Sequence, residues 1–163
     1  MNNQDLTIHT ISLPEDISEP ILRQCYVLWN ETRGGSIGPP NIDLLAVPEA
    51  TDFTGIVLLK PDGNLDEATS GFIGQSFVRR EKDQVPTGLP VSIFKKKYPN
   101  SYRMWEACYE APRPIVLGPH DSAFGGHDYL SMVHICLPLS KDGATVDKLF
   151  YAAIFRRPDG TIA

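Results

Sequence analysis

Between Leu130 and Phe155 the sequence reads LSMVHICLPLSKDGATVDKLFYAAIF, two long apolar runs separated by a polar break. No other stretch restricts the fold as strongly. Runs rich in Val, Ile, Leu and Phe around a Ser-Lys-Asp-Gly break predict two antiparallel strands joined by a short loop. Successive side chains of a strand point to opposite faces. Val133, Ile135, Leu137 and Leu139 therefore share one face, and Leu130, Met132, His134 and Cys136 share the other. Both faces are apolar, whereas a sheet wetted on one side alternates apolar with polar. The sheet must be covered on both sides. A loop of Ser140 to Gly143 would place His134 opposite Leu149, Met132 opposite Tyr151 and Val133 opposite Phe150.

Two segments can supply the covers. In SEPILRQCYVLWNETRGG, apolar residues at Ile21, Cys25, Leu28 and Trp29 fall on one face of a helix. Ser18 is positioned as its N-cap, Pro20 suits a first turn, and Gly34-Gly35 end it. The second cover is a pair of short helices in PVSIFKKKYP and SYRMWEACYEA, the latter capped by Asn100 or Ser101 and stopped by Pro112 and Pro114. Further strands are expected in TGIVLLKPDGN, in GFIGQSFVRR, in IVLGP and over Asp128 to Leu139, with a last strand from Val146 to Phe155 and HDSAFGGH as a loop. Strands separated from helices along the chain predict an α+β fold rather than a doubly wound one.

Of the two sheet faces, the one carrying Met132, His134, Cys136 and, from the next strand, Tyr151 mixes polar with apolar groups. Binding pockets have that character. The candidate ligand-binding residues are therefore Met132, His134 and Tyr151, with Trp105 reaching them from a covering helix. A core histidine bonded to a backbone carbonyl accounts for His134 equally simply.

Composition narrows the function classes. The chain has 163 residues, one domain's length, and a net charge of −5. Its one basic run, Lys95-Lys96-Lys97, reads as the solvated end of a helix, so nucleic acid is not an expected partner. No stretch approaches about 18 uninterrupted apolar residues, so no membrane span is expected. Cys25, Cys108 and Cys136 are widely spaced and odd in number. With no basic, apolar leader at the N-terminus they point to a reducing cytoplasm.

The order of several short motifs resembles a PAS-like family found mainly in alphaproteobacteria. LPLSKDGATVDKLFYAAIF is similar to its closing hairpin. Trp29, Arg33, Gly35, Pro39 and Asp43 resemble its tryptophan, arginine, glycine, proline and aspartate series, and YEAPRPIVLG its arginine-proline step into a strand. The likeness spans residues 20–155. It departs at Asn41, where many members carry a basic residue, and over residues 62–90. The resemblance implies a five-stranded antiparallel sheet with helices on one face, here with an additional N-terminal helix on the other. It also implies a sensory or protein-interaction module that binds a small ligand or docks to a signalling protein. The expected organisation is an arm (1–17), the PAS-like domain (18–155) and a tail (156–163). With only a short tail after the last strand, the domain is expected to stand alone and to signal by non-covalent contact.

Enzyme chemistry finds little footing. Cys136 and His134 lie about 7 Å apart along one strand face, too far for a thiolate–imidazole pair. His127 and His134, on one continuous strand, would face opposite ways. His120, Asp121, His127 and Asp128 sit close in sequence and could collect a metal. A small metal protein or enzyme built on His120 to His134 is thus the alternative reading. No flavin-type cysteine motif is present, a haem would need only one placed histidine, and no cofactor is assigned. The expectation is a non-enzymatic cytoplasmic domain. It would take a small apolar or amphipathic ligand or a protein partner, and dimerise through the helix face of Ile21, Cys25 and Trp29.

Overall fold

One antiparallel sheet organises the chain. The computed structural model describes residues 7–80, 88–122 and 130–163. The strands are β1 (His9–Thr10), β2 (Thr54–Leu58), β3 (Thr69–Ile73), β4 (Ile115–Ser122), β5 (Leu130–Leu139) and β6 (Lys148–Arg156). They lie in the order β1-β4-β5-β6-β2-β3, so the closing hairpin β5–β6 holds the centre. The α-helices are α1 (Pro20–Arg33), α2 (Gln75–Arg80), α3 (Phe94–Lys97) and α4 (Pro99–Glu110). The α+β class is as expected. The sheet has six strands rather than five, because the N-terminal arm adds β1 at the edge, with His9 opposite Val116.

Both faces of the sheet are covered. Leu22, Cys25, Tyr26 and Trp29 of α1 are buried with Val133, Ile135, Leu137, Leu139 and Phe150. On the other face α4 buries Met104, Trp105 and Cys108 with Ile115, Leu117, Cys136 and Leu149. Large apolar side chains buried this fully contribute roughly 1.5–3 kcal/mol each. The first layer is also pinned in direction: Trp29 Nε1 donates to the Pro138 carbonyl at 2.8 Å near the end of β5. Ile11 and Ile17, within the arm, are buried in this same layer.

The hairpin register differs from the expected one. His134 lies opposite Ala153, Met132 opposite Phe155 and Val133 opposite Ile154. The connection is wider than Ser140 to Gly143, because Ser140 and Asp142 build a longer loop. Gly143 N–H donates to Ser140 Oγ at 2.9 Å, and the N–H groups of Ala144 and Thr145 donate to Asp142 Oδ1 at 2.8 and 2.7 Å. These bonds hold the Asp142 carboxyl down at about 2. The last strand starts at Lys148 rather than Val146. The displacement is an even number of residues, so every side chain keeps its predicted face.

Other boundaries moved for local reasons. GFIGQSFVRR is half strand and half helix: the chain turns at Gly74, whose N–H donates to Thr54 O at 2.7 Å, and α2 follows. Helix α1 is capped at Glu19, not Ser18, and the Glu19 carboxylate receives both Nε and Nη2 of Arg156 at 2.7 Å. Helix α4 begins at Pro99, one residue before the expected cap. His120 and Asp121 belong to β4 rather than to a loop. His127 and Asp128 lie outside the described residues.

Candidate functional site

The mixed face of the sheet encloses a cavity beneath the short helices. Strand β5 contributes Met132 and His134, β6 contributes Tyr151 and Ala153, and α4 contributes Ser101, Met104 and Trp105. Ile73 of β3, Phe77 of α2, Phe94 of α3 and Tyr98 complete the lining. The space open to the centre of a water molecule is about 40 Å³. At roughly 10–15 Å³ per water, it has room for about three. The sequence-predicted Trp105, Met132, His134 and Tyr151 all meet here. Two rules place them: strand alternation for the three on β5 and β6, and the buried stripe of α4 for Trp105.

Aromatic rings frame the space. Trp105 and Tyr151 have centroids 5.1 Å apart, Phe94 meets Trp105 edge-on at 6.1 Å, and Phe77 meets Tyr151 at 5.6 Å. Tyr151 leans across β2 at Gly55, where any Cβ would overlap its ring. Gly55 therefore makes the room that Tyr151 occupies. Burial raises the Tyr151 hydroxyl well above its ordinary range, so it stays protonated.

Two polar atoms stand out in this apolar setting. Trp105 is 5% exposed, and its buried Nε1–H has no hydrogen-bond acceptor among the described residues. His134 is 2% exposed, and its Nε2 lies 3.2 Å from Nε2 of His120. The proton positions follow from chemistry. His120 Nδ1 lies 2.9 Å from the Asp121 carbonyl, which can only accept, so Nδ1 carries the proton. The two Nε2 atoms then share the hydrogen bond between the rings. Burial, and next the nearby His120, lower the His134 pKa to about 3, so the ring is neutral at physiological pH.

The meeting of His120 and His134 is the feature that sequence reasoning missed. Leu117 pairs with His134, but His120 pairs with Met132, which puts one extra residue into β4. Such a bulge re-aims the side chains that follow it. Regular pairing would turn His120 to the α1 face; the bulge turns it toward His134. Gly118 allows this with φ +107° and with no room for a Cβ against the Met132 carbonyl. The dipeptide Gly118-Pro119 was the available signal, and it reads as a strand end.

The remaining candidates are placed as follows. Cys25 and Trp29 are packed into the chain's own core, and of the proposed interface trio Ile21 alone keeps exposed surface. Cys25, Cys108 and Cys136 are each fully buried as free thiols. Burial pushes Cys25 up to about 12, and burial and the adjacent Cys108 push Cys136 well above its ordinary value. Such thiols are poor nucleophiles. Among the described residues no three His, Cys, Asp or Glu side chains gather into a metal-holding group. No helix among them is long and apolar enough to cross a membrane.

Comparison with models of protein families, with curated proteins and with solved structures finds no match for this chain.

Proposed function

We propose that this chain is a PAS-like sensory or interaction domain, not an enzyme, that takes a small apolar or amphipathic molecule between sheet and helices. The observation that carries this reading is the convergence of Trp105, Met132, His134 and Tyr151 on one cavity from three separate elements. The two-sided covering of an antiparallel sheet, with short helices over one face and α1 over the other, supports the PAS-like comparison. A cavity whose walls include α2, α3 and α4 can pass occupancy on, because a ligand there changes how those short helices sit. In this reading a signalling protein, or a second copy meeting the outer margin of α1 near Ile21, receives the change.

Native mass spectrometry of freshly purified protein tests the proposal. The expected result is a protein that retains a small organic molecule, released on unfolding, with or without a second chain. A chain that holds no such molecule and no partner, and shifts for no added apolar probe, would sink it. Stoichiometric metal that disappears in His120→Ala would favour the metal-protein alternative instead.

A further inference from the structure

Helix α1 buries Leu22, Cys25, Tyr26 and Trp29 against the sheet, so its opposite face runs through Gln24, Val27 and Glu31. Beside that ridge the chain returns as the short turn Leu44–Ala46, and a groove opens between the two. Half-buried Val27 and Leu28 line it from α1, and Ala46 and Val47 line it from the turn. Arg23 and Glu31 also line it, and their separation of eight residues spans about 12 Å along the helix axis.

Leu45 stands next to this groove and, at 89% exposed, is the most exposed large apolar side chain among the described residues. Its backbone is fixed. Leu45 N–H donates to Asp43 Oδ1 at 3.0 Å, and the N–H groups of Ala46 and Val47 donate to the Asp43 and Leu44 carbonyls at 3.1 Å. A single exposed leucine needs no explanation. A fixed apolar knob beside an apolar groove is different, because a two-fold contact uses both halves at once.

Charge decides the occupant. Arg23 donates through Nε and Nη2 to the Ile17 carbonyl at 3.1 and 2.8 Å, which holds its guanidinium in place. Arg23 nevertheless meets no carboxylate among the described residues, and Glu31 meets no cation among them. Val27 lies midway between the two. When two α1 helices cross antiparallel about a two-fold axis at Val27, Arg23 of each copy faces Glu31 of the other. Such a contact pairs residue i with j and j with i. A parallel pair would set like charge on like.

We propose that the groove between α1 and the Leu44–Ala46 turn seats a second copy of this chain. The α1 helices run antiparallel, Arg23 meets Glu31 in both directions, and Leu45 of each copy enters the groove of the other. This rests on the second-copy part of the reading above and not on what the cavity holds.

Sedimentation equilibrium of the full chain tests it, with melting curves as the check that each variant folds. The expected result is a reversible dimer with a Kd of about 1–100 μM, ordinary for a small transient contact. Leu45→Asp, which sets a charge in each groove, should weaken it about a hundredfold and leave the Tm unchanged. Glu31→Arg turns both ion pairs into repulsions and should weaken it about tenfold. Arg23→Glu should do the same, and an equimolar mixture of the Glu31→Arg and Arg23→Glu chains should dimerise again, since each presents the opposite sign to the other. Should Arg23→Glu melt early, because Arg23 also holds the Ile17 carbonyl, the first two variants decide by themselves. An unaltered chain that stays monomeric at about 500 μM overturns the proposal and leaves this face to a different partner. A dimer of unchanged affinity in both Leu45→Asp and Glu31→Arg also overturns it, because the contact then lies elsewhere. Neither outcome bears on the cavity, whose occupancy native mass spectrometry reports separately.

Discussion

A neutral histidine buried at the centre of a sheet makes stability depend on pH in a direction opposite to that of a paired histidine. In the unfolded chain His134 takes its proton near pH 6.5; in the folded protein burial delays this to about 3. Between those values the unfolded state binds a proton that the native state refuses. Stability therefore rises with pH across this window, is flat above it, and falls as acid is added below about 6.5. One pH unit of unequal protonation corresponds to about 1.4 kcal/mol. From pH 7.5 to pH 5 the loss assigned to His134 is thus about 2 kcal/mol. This figure depends on the unfolded pKa and hardly on the exact folded one. Urea unfolding at pH 5, 6 and 7.5 measures it. His134→Gln retains a hydrogen-bonding side chain without titrating, so the difference from the unaltered chain reports His134 together with its coupling to His120. The difference in unfolding free energy between the unaltered chain and this variant should change by about 2 kcal/mol over that range. A difference that does not vary with pH would refute the burial argument.

Three further outcomes are expected. Gly118→Ala should destabilise by about 1–3 kcal/mol, because its φ is positive and its Cβ would press on the Met132 carbonyl; thermal melts measure the loss, and loss of the histidine–histidine coupling in imidazole NMR spectra reports the disturbed bulge. Trp29→Phe should cost about 1–3 kcal/mol by leaving the Pro138 carbonyl without its buried donor; an unchanged denaturant midpoint would argue against that bond. Ser140→Ala, at a buried hydroxyl that accepts from Gly143 N–H, should cost about 1–2 kcal/mol and speed amide exchange at Gly143.

The residues around the cavity were legible to different degrees. Met132, His134 and Tyr151 were found because strand alternation survives any even change of register, so the wrong loop length did no harm. Trp105 was found because α4 has one buried stripe and the mixed sheet face needed a cover. Phe77 was missed because SFVRR after Gly74 reads as extended, whereas the chain turns there and sends Phe77 down from a helix. His120 was missed because Gly118-Pro119 looks like the end of a strand.

The sequence by itself determined that the chain contains this antiparallel hairpin, that both faces of its sheet are covered, and which residues share each face; its place at the centre came from the strand order. The first three follow from periodicity, which is a property of neighbouring residues and needs no knowledge of distant ones. Only the tertiary structure decided that Gly118 adds a bulge, that this bulge sets His120 against His134, and that Trp105 is left with an unpaired N–H over an aromatic cavity. Each of those depends on contacts between segments far apart in the chain. Backbone pairing across strands, not local preference, sets where the extra residue goes and which polar atoms find a partner.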